Sequence, residues 1–155
     1  MNFISVFRII KAKYAATAYS GEGSRNNEGR WHHKGYAVVY ASKSLALAAL
    51  ETLANFDGFP PHEIKFCSVR ADIPQAFIMP LENMPDHWSV KPIPLATQDL
   101  GTLWLKNKES AALRVPSVLI HSEYNYLINP QHPDFDKIKI YPEEPFTFDE
   151  RLNKR

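Results

Sequence analysis

Only two stretches of this chain carry the apolar spacing of a sizeable helix; the rest breaks into short β-branched or aromatic segments separated by prolines and polar turns. Residues 3–9 alternate as a strand, residues 36–41 (YAVVYA) read as a buried one, and residues 64–73 as a third, ended by Pro74. Shorter strands are expected at 116–120, 123–129, 137–141 and 146–148. The helical stretches are 45–56, rich in alanine and leucine with Ser42 or Ser44 available as a cap, and 97–106. In the second, Thr97 stands as a cap and Leu100, Leu103 and Trp104 recur at i, i+3 and i+4. Prolines recur through 74–94, where no regular element is expected. With no repeat and no dividing linker, the pattern predicts one α+β domain over residues 1–155, a mixed β-sheet core with flanking helices.

Composition narrows the function. The chain has 155 residues, 45% of them apolar, and a formal charge of +1. Its single cysteine, Cys67, permits no internal disulfide and no Cys-rich zinc site, and reads as a buried core thiol. No apolar run approaches the ~18 residues needed to cross a bilayer, and the first six residues lack the basic start of a signal peptide, so a cytoplasmic protein is expected. The charge is uneven: residues 1–43 hold seven basic and two acidic residues, the remainder eleven and fifteen. A basic first quarter points to a local anionic ligand or to a merely solvated face. A non-enzymatic nucleic-acid-binding module built on that quarter and Trp31 is a further alternative. Against it stand the small net charge and the lack of a helix-turn-helix or an aromatic RNA platform.

The sharp catalytic motifs are absent: no phosphate loop of the Walker type, no G-x-S-x-G, no H-E-x-x-H, no C-x-x-C. His32-His33 lack the spacing of a helical metal pair, and no metal site is expected. In the 45–56 helix, expected to be largely buried, Glu51 is the one charge between Lys43 and Asp57. It shares a narrow polar arc with Ala48, Thr52 and Asn55. Such an arc either touches solvent or lines a cleft in which the carboxylate faces a developing cation. Arg30, in G-R-W after the polar, glycine-rich 19–29 loop, is placed to fork onto a phosphate or to make a surface ion pair. Arg8 ends a strand framed by Phe7 and Ile9, either in water or on the same anion. Tyr40 packs or stacks on a planar ring. Ser117, Glu123, Asn125 and Asn129 are candidates for hydrogen bonds to a ribose or an amide. A triad of Ser117, His121 and Glu123 has little support, because a strand would hold Ser117 and His121 too far apart for a direct bond.

Taken together, Arg8, G-R-W at 29–31, V-V-Y-A-S at 38–42, A-L-E at 49–51, V-P-S at 115–117, E-Y-N-Y-L-I-N-P and F-D-E-R-L resemble the RES-domain family in order and spacing. The match runs from Phe7 to Leu152; one visible departure is His32, where many relatives have asparagine. The resemblance implies a fold similar to that of the ADP-ribosyltransferase toxins. It also implies the toxin half of a bacterial toxin–antitoxin pair, acting as an oligomer or hetero-complex with an Xre-type antitoxin that blocks the active-site entrance. Family members degrade NAD+ at the nicotinamide–ribose bond, by phosphorolysis or hydrolysis, and some attach ADP-ribose to a protein. NAD+ is then substrate, inorganic phosphate a possible co-substrate, and no separate cofactor is implied. By the same resemblance Arg30, Tyr40 and Glu51 form the catalytic set, Arg8 and Ser117 are additional active-site positions, and Asn129 is a lesser candidate. Glu51 would stabilise an oxocarbenium-like ribose, Arg30 and Arg8 would bind phosphate groups, and Tyr40 would orient the nicotinamide.

Overall fold

The pairing of the first strand organises the sheet. The computed structural model describes residues 2–154. In chain order it contains β1 (Phe3–Lys11), a single-turn α1 (Glu22–Arg25), β2 (Val39–Ser42), α2 (Leu45–Asn55), β3 (Phe66–Pro74), β4 (Ile78–Pro80) and α3 (Leu95–Asn107). After these come β5 (Ala112–Pro116), β6 (Tyr124–Ile128), β7 (Lys139–Ile140) and β8 (Glu144–Phe146). The sheet runs β4-β5-β6-β2-β1-β3-β7, with β8 also paired to β3. Among the described residues only β4–β5 is parallel, so the sheet is mixed, as the sequence implies. β1 pairs with β3 along its whole length, from Phe3–Pro74 to Lys11–Phe66, but shares a single register pair with β2, Phe7–Ser42. The sheet is therefore continuous on one side of β1 and nearly parted on the other.

Three apolar clusters hold the layers. Val6, Val39, Ala41, Val69, Ala71, Ile73 and Ile128 fill the first. Trp104 and Leu105 of α3 close over Trp31, Val38, Leu113, Val115 and Leu127 in the second. Ala48 of α2 meets Ile9, Phe66 and Phe148 in the third, with Phe7, Leu53 and Phe56 at its edge. Ser44 caps α2, its hydroxyl accepting the Leu47 amide at 3.0 Å.

Besides shifted ends at β2 (expected at 36–41) and β8 (expected at 146–148) and one helical turn inside the expected 19–29 loop, four sequence expectations change. α2 is not largely buried: Leu47 and Ala48 are, but Leu45 is 36% and Leu50 43% exposed. Its alanines and leucines reflect helix propensity, since only one side of it rests on β1. α3 begins at Leu95 rather than after Thr97, whose hydroxyl donates back to the Pro94 carbonyl. The strand expected at 116–120 lies at Ala112–Pro116 instead. There Ser117 accepts the Leu119 and Ile120 amides on its hydroxyl, turning the chain out of the ladder. Inside the proline-rich stretch, Ile78–Pro80 adds the edge strand β4 that composition hid.

Asp72 ties β1, β3 and the segment after β7 together. Its carboxylate accepts from Ser5 (2.7 Å), Tyr141 (2.7 Å) and both Nε and Nη2 of Arg70 (3.1 Å each). Burial alone would raise its pKa; the donors from Ser5, Tyr141 and Arg70 prevail and hold it below the usual carboxylate value. A depressed folded pKa stabilises the protein above the unfolded pKa of about 3.9, and that contribution is lost as pH falls through the folded value. Asp72→Ala is expected to cost about 2 kcal/mol at pH 7, with the gap to wild type closing below pH about 4. Thermal melts across pH check this; equal Tm values at neutrality, or a gap that widens on acidification, contradict it.

Candidate active site

Where β1 and β2 part, a cavity of about 360 Å3 opens, within the range of small-molecule sites. Ala48, Glu51, Thr52 and Asn55 of α2 line it together with Phe7, Arg8, Tyr40, Ser42 and Asn125. The polar arc read from the helix sequence thus faces a cavity. Thr52 and Asn55 turn their polar groups onto their own helix, donating to the Ala48 and Glu51 carbonyls. Glu51 is left as the group that presents charge.

That carboxylate is held from two other elements. Ser117 Oγ, on the turn after β5, donates to Glu51 Oε2 at 2.8 Å, and Asn125 Nδ2, on β6, donates to the same oxygen at 2.6 Å. Each donor is itself oriented. The Ser117 hydroxyl accepts two backbone amides and so has its one proton for Glu51. Asn125 Oδ1 accepts from Ser42 Oγ at 2.7 Å, which turns the amide nitrogen to the carboxylate; Ser42 and Asn125 are register partners across β2 and β6. Glu51 Oε1 takes no hydrogen bond from the described residues.

Arg8 spans the gap in the sheet. Its Nη1 donates to the Tyr40 carbonyl at 2.6 Å, a bond from a side chain where the β1–β2 ladder has lapsed. Burial lowers its pKa, partly offset by Tyr19, whose ring centroid lies 5.9 Å from the guanidinium. The buried Nε of Arg8 has no hydrogen-bond partner among the described residues. An unmet buried donor costs about 1–3 kcal/mol, and the guanidinium, which borders the cavity, brings a positive charge that would draw an anion there.

The loop carrying Arg30 is clamped from both sides. On one, Tyr40 Oη accepts the Trp31 amide at 3.3 Å and meets His32 Nδ1 at 2.6 Å. Gly29 makes this approach possible: a Cβ there would stand 2.8 Å from Tyr40 Oη and 2.7 Å from His32 Cε1. On the other, α3 grips the backbone. Gln98 Nε2 donates to the Gly29 carbonyl and to Glu28, Thr102 Oγ1 accepts the His33 amide, and a Cβ on Gly101 would overlap the Trp31 carbonyl oxygen. Arg30 Nη1 donates to the carbonyls of Trp88 (2.8 Å) and Val90 (3.0 Å), leaving its other donors unused by the described residues. Partial burial lowers its pKa, while the nearby Glu51 and Tyr40 oppose that shift. The Arg30 guanidinium therefore lies within electrostatic reach of the carboxylate, although it is not in the wall of the cavity itself.

A family model described as the RES domain matches residues 5–149. This chain belongs to the RES domain family. It is 34% identical over 149 residues to a protein named Toxin Res from Yersinia enterocolitica, spanning 95% of this chain and 98% of that one. It is also 34% identical over 149 residues to a Prs ADP-ribosylating toxin from Sphingobium sp., covering 92% and 91% of the two chains. A Toxin Res from Pseudomonas putida is 36% identical over 137 residues, covering 86% and 91%. In fold, the chain is similar to a chain in the crystal structure of the M. tuberculosis MbcT-MbcA toxin-antitoxin complex, with a TM-score of 0.74 and 15% identity over 94% of this chain and 85% of that one.

In this RES protein Arg8, Tyr40, Glu51 and Ser117 converge, Ser117 as a fully buried support behind the carboxylate rather than a wall of the cavity. Asn129 does not join them. It borders a separate pocket with Arg25, Tyr36 and Lys106, donates to the Leu105 carbonyl and accepts the Gln131 amide, so its side chain closes the end of β6. The Ser117–His121–Glu123 triad does not form: Ser117 is bonded to Glu51, and His121 packs on Trp88 at 4.9 Å. A larger groove of about 910 Å3, bordered by Phe59, Cys67 and Phe148, shares no residue with the Glu51 cavity and contains no arginine. His32 was visible in sequence only as the residue after G-R-W; its bond to Tyr40 spans eight residues of irregular backbone and has no periodic signal.

The grip of α3 has a signed consequence. Alanine for glycine inside a helix ordinarily stabilises by up to about 1 kcal/mol. Gly101→Ala in this RES protein is expected to destabilise instead, by about 1–3 kcal/mol, because the Trp31 carbonyl must move. A thermal melt reads the sign; a raised Tm contradicts the packing described.

Proposed function

We propose that this RES protein is the toxin of a toxin–antitoxin pair and consumes NAD+ by cleaving its nicotinamide–ribose bond. The observation that carries the reading is Glu51: a carboxylate held by Ser117 and Asn125 through one oxygen, with the other open, in a cavity that Arg8 also lines. The names of the Yersinia and Sphingobium relatives support it.

The chemistry asks for little beyond what these residues offer. As the C1′–N bond breaks, its electron pair passes to the pyridinium nitrogen, so nicotinamide leaves neutral and needs no strong acid. Positive charge develops on the ribose, and a fixed carboxylate below it lowers the barrier by preorganised electrostatics. Glu51 Oε1 meets the ribose; Ser117 and Asn125 hold Oε2 so that the carboxylate need not reorient during the step. Arg8, with the free donors of Arg30, binds the diphosphate or an incoming phosphate. Tyr40 sets the plane of the leaving ring. An acceptor oxygen then bonds to the carbon that nicotinamide has left: inorganic phosphate gives ADP-ribose 1″-phosphate, and water gives ADP-ribose and a proton.

A second acceptor is favoured by one observation, the ADP-ribosylating name of the Sphingobium relative. In that reading a side chain of a target protein takes the place of phosphate or water on the same Glu51 site. The similarity in fold to a chain of a toxin-antitoxin complex supports a neutralising partner for this protein as well; that it is of the Xre type and covers the cavity entrance is what the family resemblance implies.

Nicotinamide release from NAD+ by the purified protein, with and without phosphate, tests the reading. Glu51→Gln keeps an oxygen for Ser117 and Asn125 but removes the charge, and is expected to slow release by about 10²–10³-fold with the fold intact. Full turnover by this variant, or no nicotinamide release by wild type under any acceptor, overturns the proposal. Label from adenine-tagged NAD+ on protein rather than in small products selects the transferase form.

A further inference from the structure

His32 is the most completely bonded polar side chain near the cavity that the proposed chemistry leaves without a role. It is 2% exposed. Its Nε2 lies 2.8 Å from the Asn27 carbonyl and 3.0 Å from that of Ser24, and its Nδ1 lies 2.6 Å from Tyr40 Oη. Carbonyl oxygens only accept, so Nε2 carries a proton. In the neutral ring Nδ1 is then the acceptor and Tyr40 the donor. The phenol oxygen accepts the Trp31 amide in turn. Every proton in this group has an acceptor, whereas an imidazolium would itself donate from Nδ1 and leave the Tyr40 proton without an acceptor among the described residues. Burial also pushes the Tyr40 phenol above its usual range, against the opposing pull of the Trp31 bond and Arg30, so the hydroxyl keeps its proton to give.

We infer that His32 is a positioning residue for the glycosidic cleavage: it engages the Tyr40 hydroxyl proton, so that Tyr40 meets the ligand through its ring and supplies no proton to the leaving group. The same bond ties the loop bearing Arg30 to the strand bearing Tyr40. The inference rests on the reading of the site as an NAD+-cleaving one, and it agrees with the chemistry there, since a pyridinium that leaves neutral needs orientation and not an acid. It also gives Gly29 its task, because any side chain at 29 would wedge His32 and Tyr40 apart.

Two measurements test it. The first needs no activity: side-chain nitrogen NMR of the histidine-labelled protein near pH 7.5 should show one imidazole protonated at Nε2 and hydrogen-bonded at Nδ1. The Nδ1 resonance should move on Tyr40→Phe. The opposite tautomer, an imidazolium, or no response to Tyr40→Phe overturns the inference. The second is kinetic. His32→Leu removes the acceptor and is expected to lower kcat for nicotinamide release about tenfold, the worth of one such bond, with KM little changed. His32→Asn places an amide oxygen close to the position of Nδ1 and should restore most of that loss. Tyr40→Phe added to His32→Leu should cost less than the product of the two single effects, because both remove the His32–Tyr40 bond and only the weaker Trp31 amide bond is lost in addition. Multiplying effects, or an asparagine variant as impaired as the leucine one, contradict the coupling. If wild type releases no nicotinamide the proposed function falls by itself, and the NMR result still decides whether His32 holds the Tyr40 proton.

Discussion

A carboxylate pinned through one oxygen by two side-chain donors is the constraint on which the rest of this protein depends. Hydrogen bonds to a charged group are worth about 1.5–3 kcal/mol each, and here they come from the turn after β5 and from β6 while Glu51 itself sits on α2. Three separate elements must therefore be in register before the charge is placed. The sheet arranges this through one cross-strand pair: Ser42 orients Asn125, and Asn125 orients Glu51. The side chains that hold the carboxylate are also those that fix β2 against β6 and bend the chain out of β5. Site and fold share the same bonds.

The second constraint is a weakness in the sheet. β1 is fully paired with β3, yet meets β2 at a single register pair, and the space so created is the cavity. Arg8 stands in for the missing ladder by donating to a backbone carbonyl of β2, and in doing so is held in a place where water is scarce and one of its donors goes unmet. A guanidinium can do both, since its five donors are fixed in a plane and only some are needed for the backbone. Arg30 follows the same logic with its Nη1 on the Trp88 and Val90 carbonyls. Each arginine is anchored to backbone by one end and keeps further donors for a ligand.

Much of this was legible in the residues. Helical geometry put Ala48, Glu51, Thr52 and Asn55 on one arc, and that arc lines the cavity. The β1 strand and the capping serine of α2 are local signals, and both stand in the structure, although burial along β1 falls on Val6 and Ile9 rather than on alternate residues. What was not legible depends on contacts distant in sequence. The ends of β5 moved because the Ser117 hydroxyl competes with the ladder, a choice that only its amide partners reveal. Asn129 resembles a ligand residue in its polar run, yet its side chain is spent on the Leu105 carbonyl and the Gln131 amide. The apolar outer face of α2 misled because leucine and alanine serve helix propensity as well as burial. His32 has no pattern to announce it, since it lies outside any helix or strand and the chain between it and Tyr40 is largely irregular.

Whether the Glu51 cavity is the place where a dinucleotide reacts is decided most directly by a crystal structure of a Glu51→Gln variant with NAD+ at millimolar concentration. The account predicts the nicotinamide-side ribose within hydrogen-bonding distance of residue 51, the diphosphate against Arg8 and the nicotinamide ring on the face of Tyr40. A dinucleotide bound elsewhere, in the groove beside Phe59 and Phe148 for instance, or no bound nucleotide at all, contradicts it.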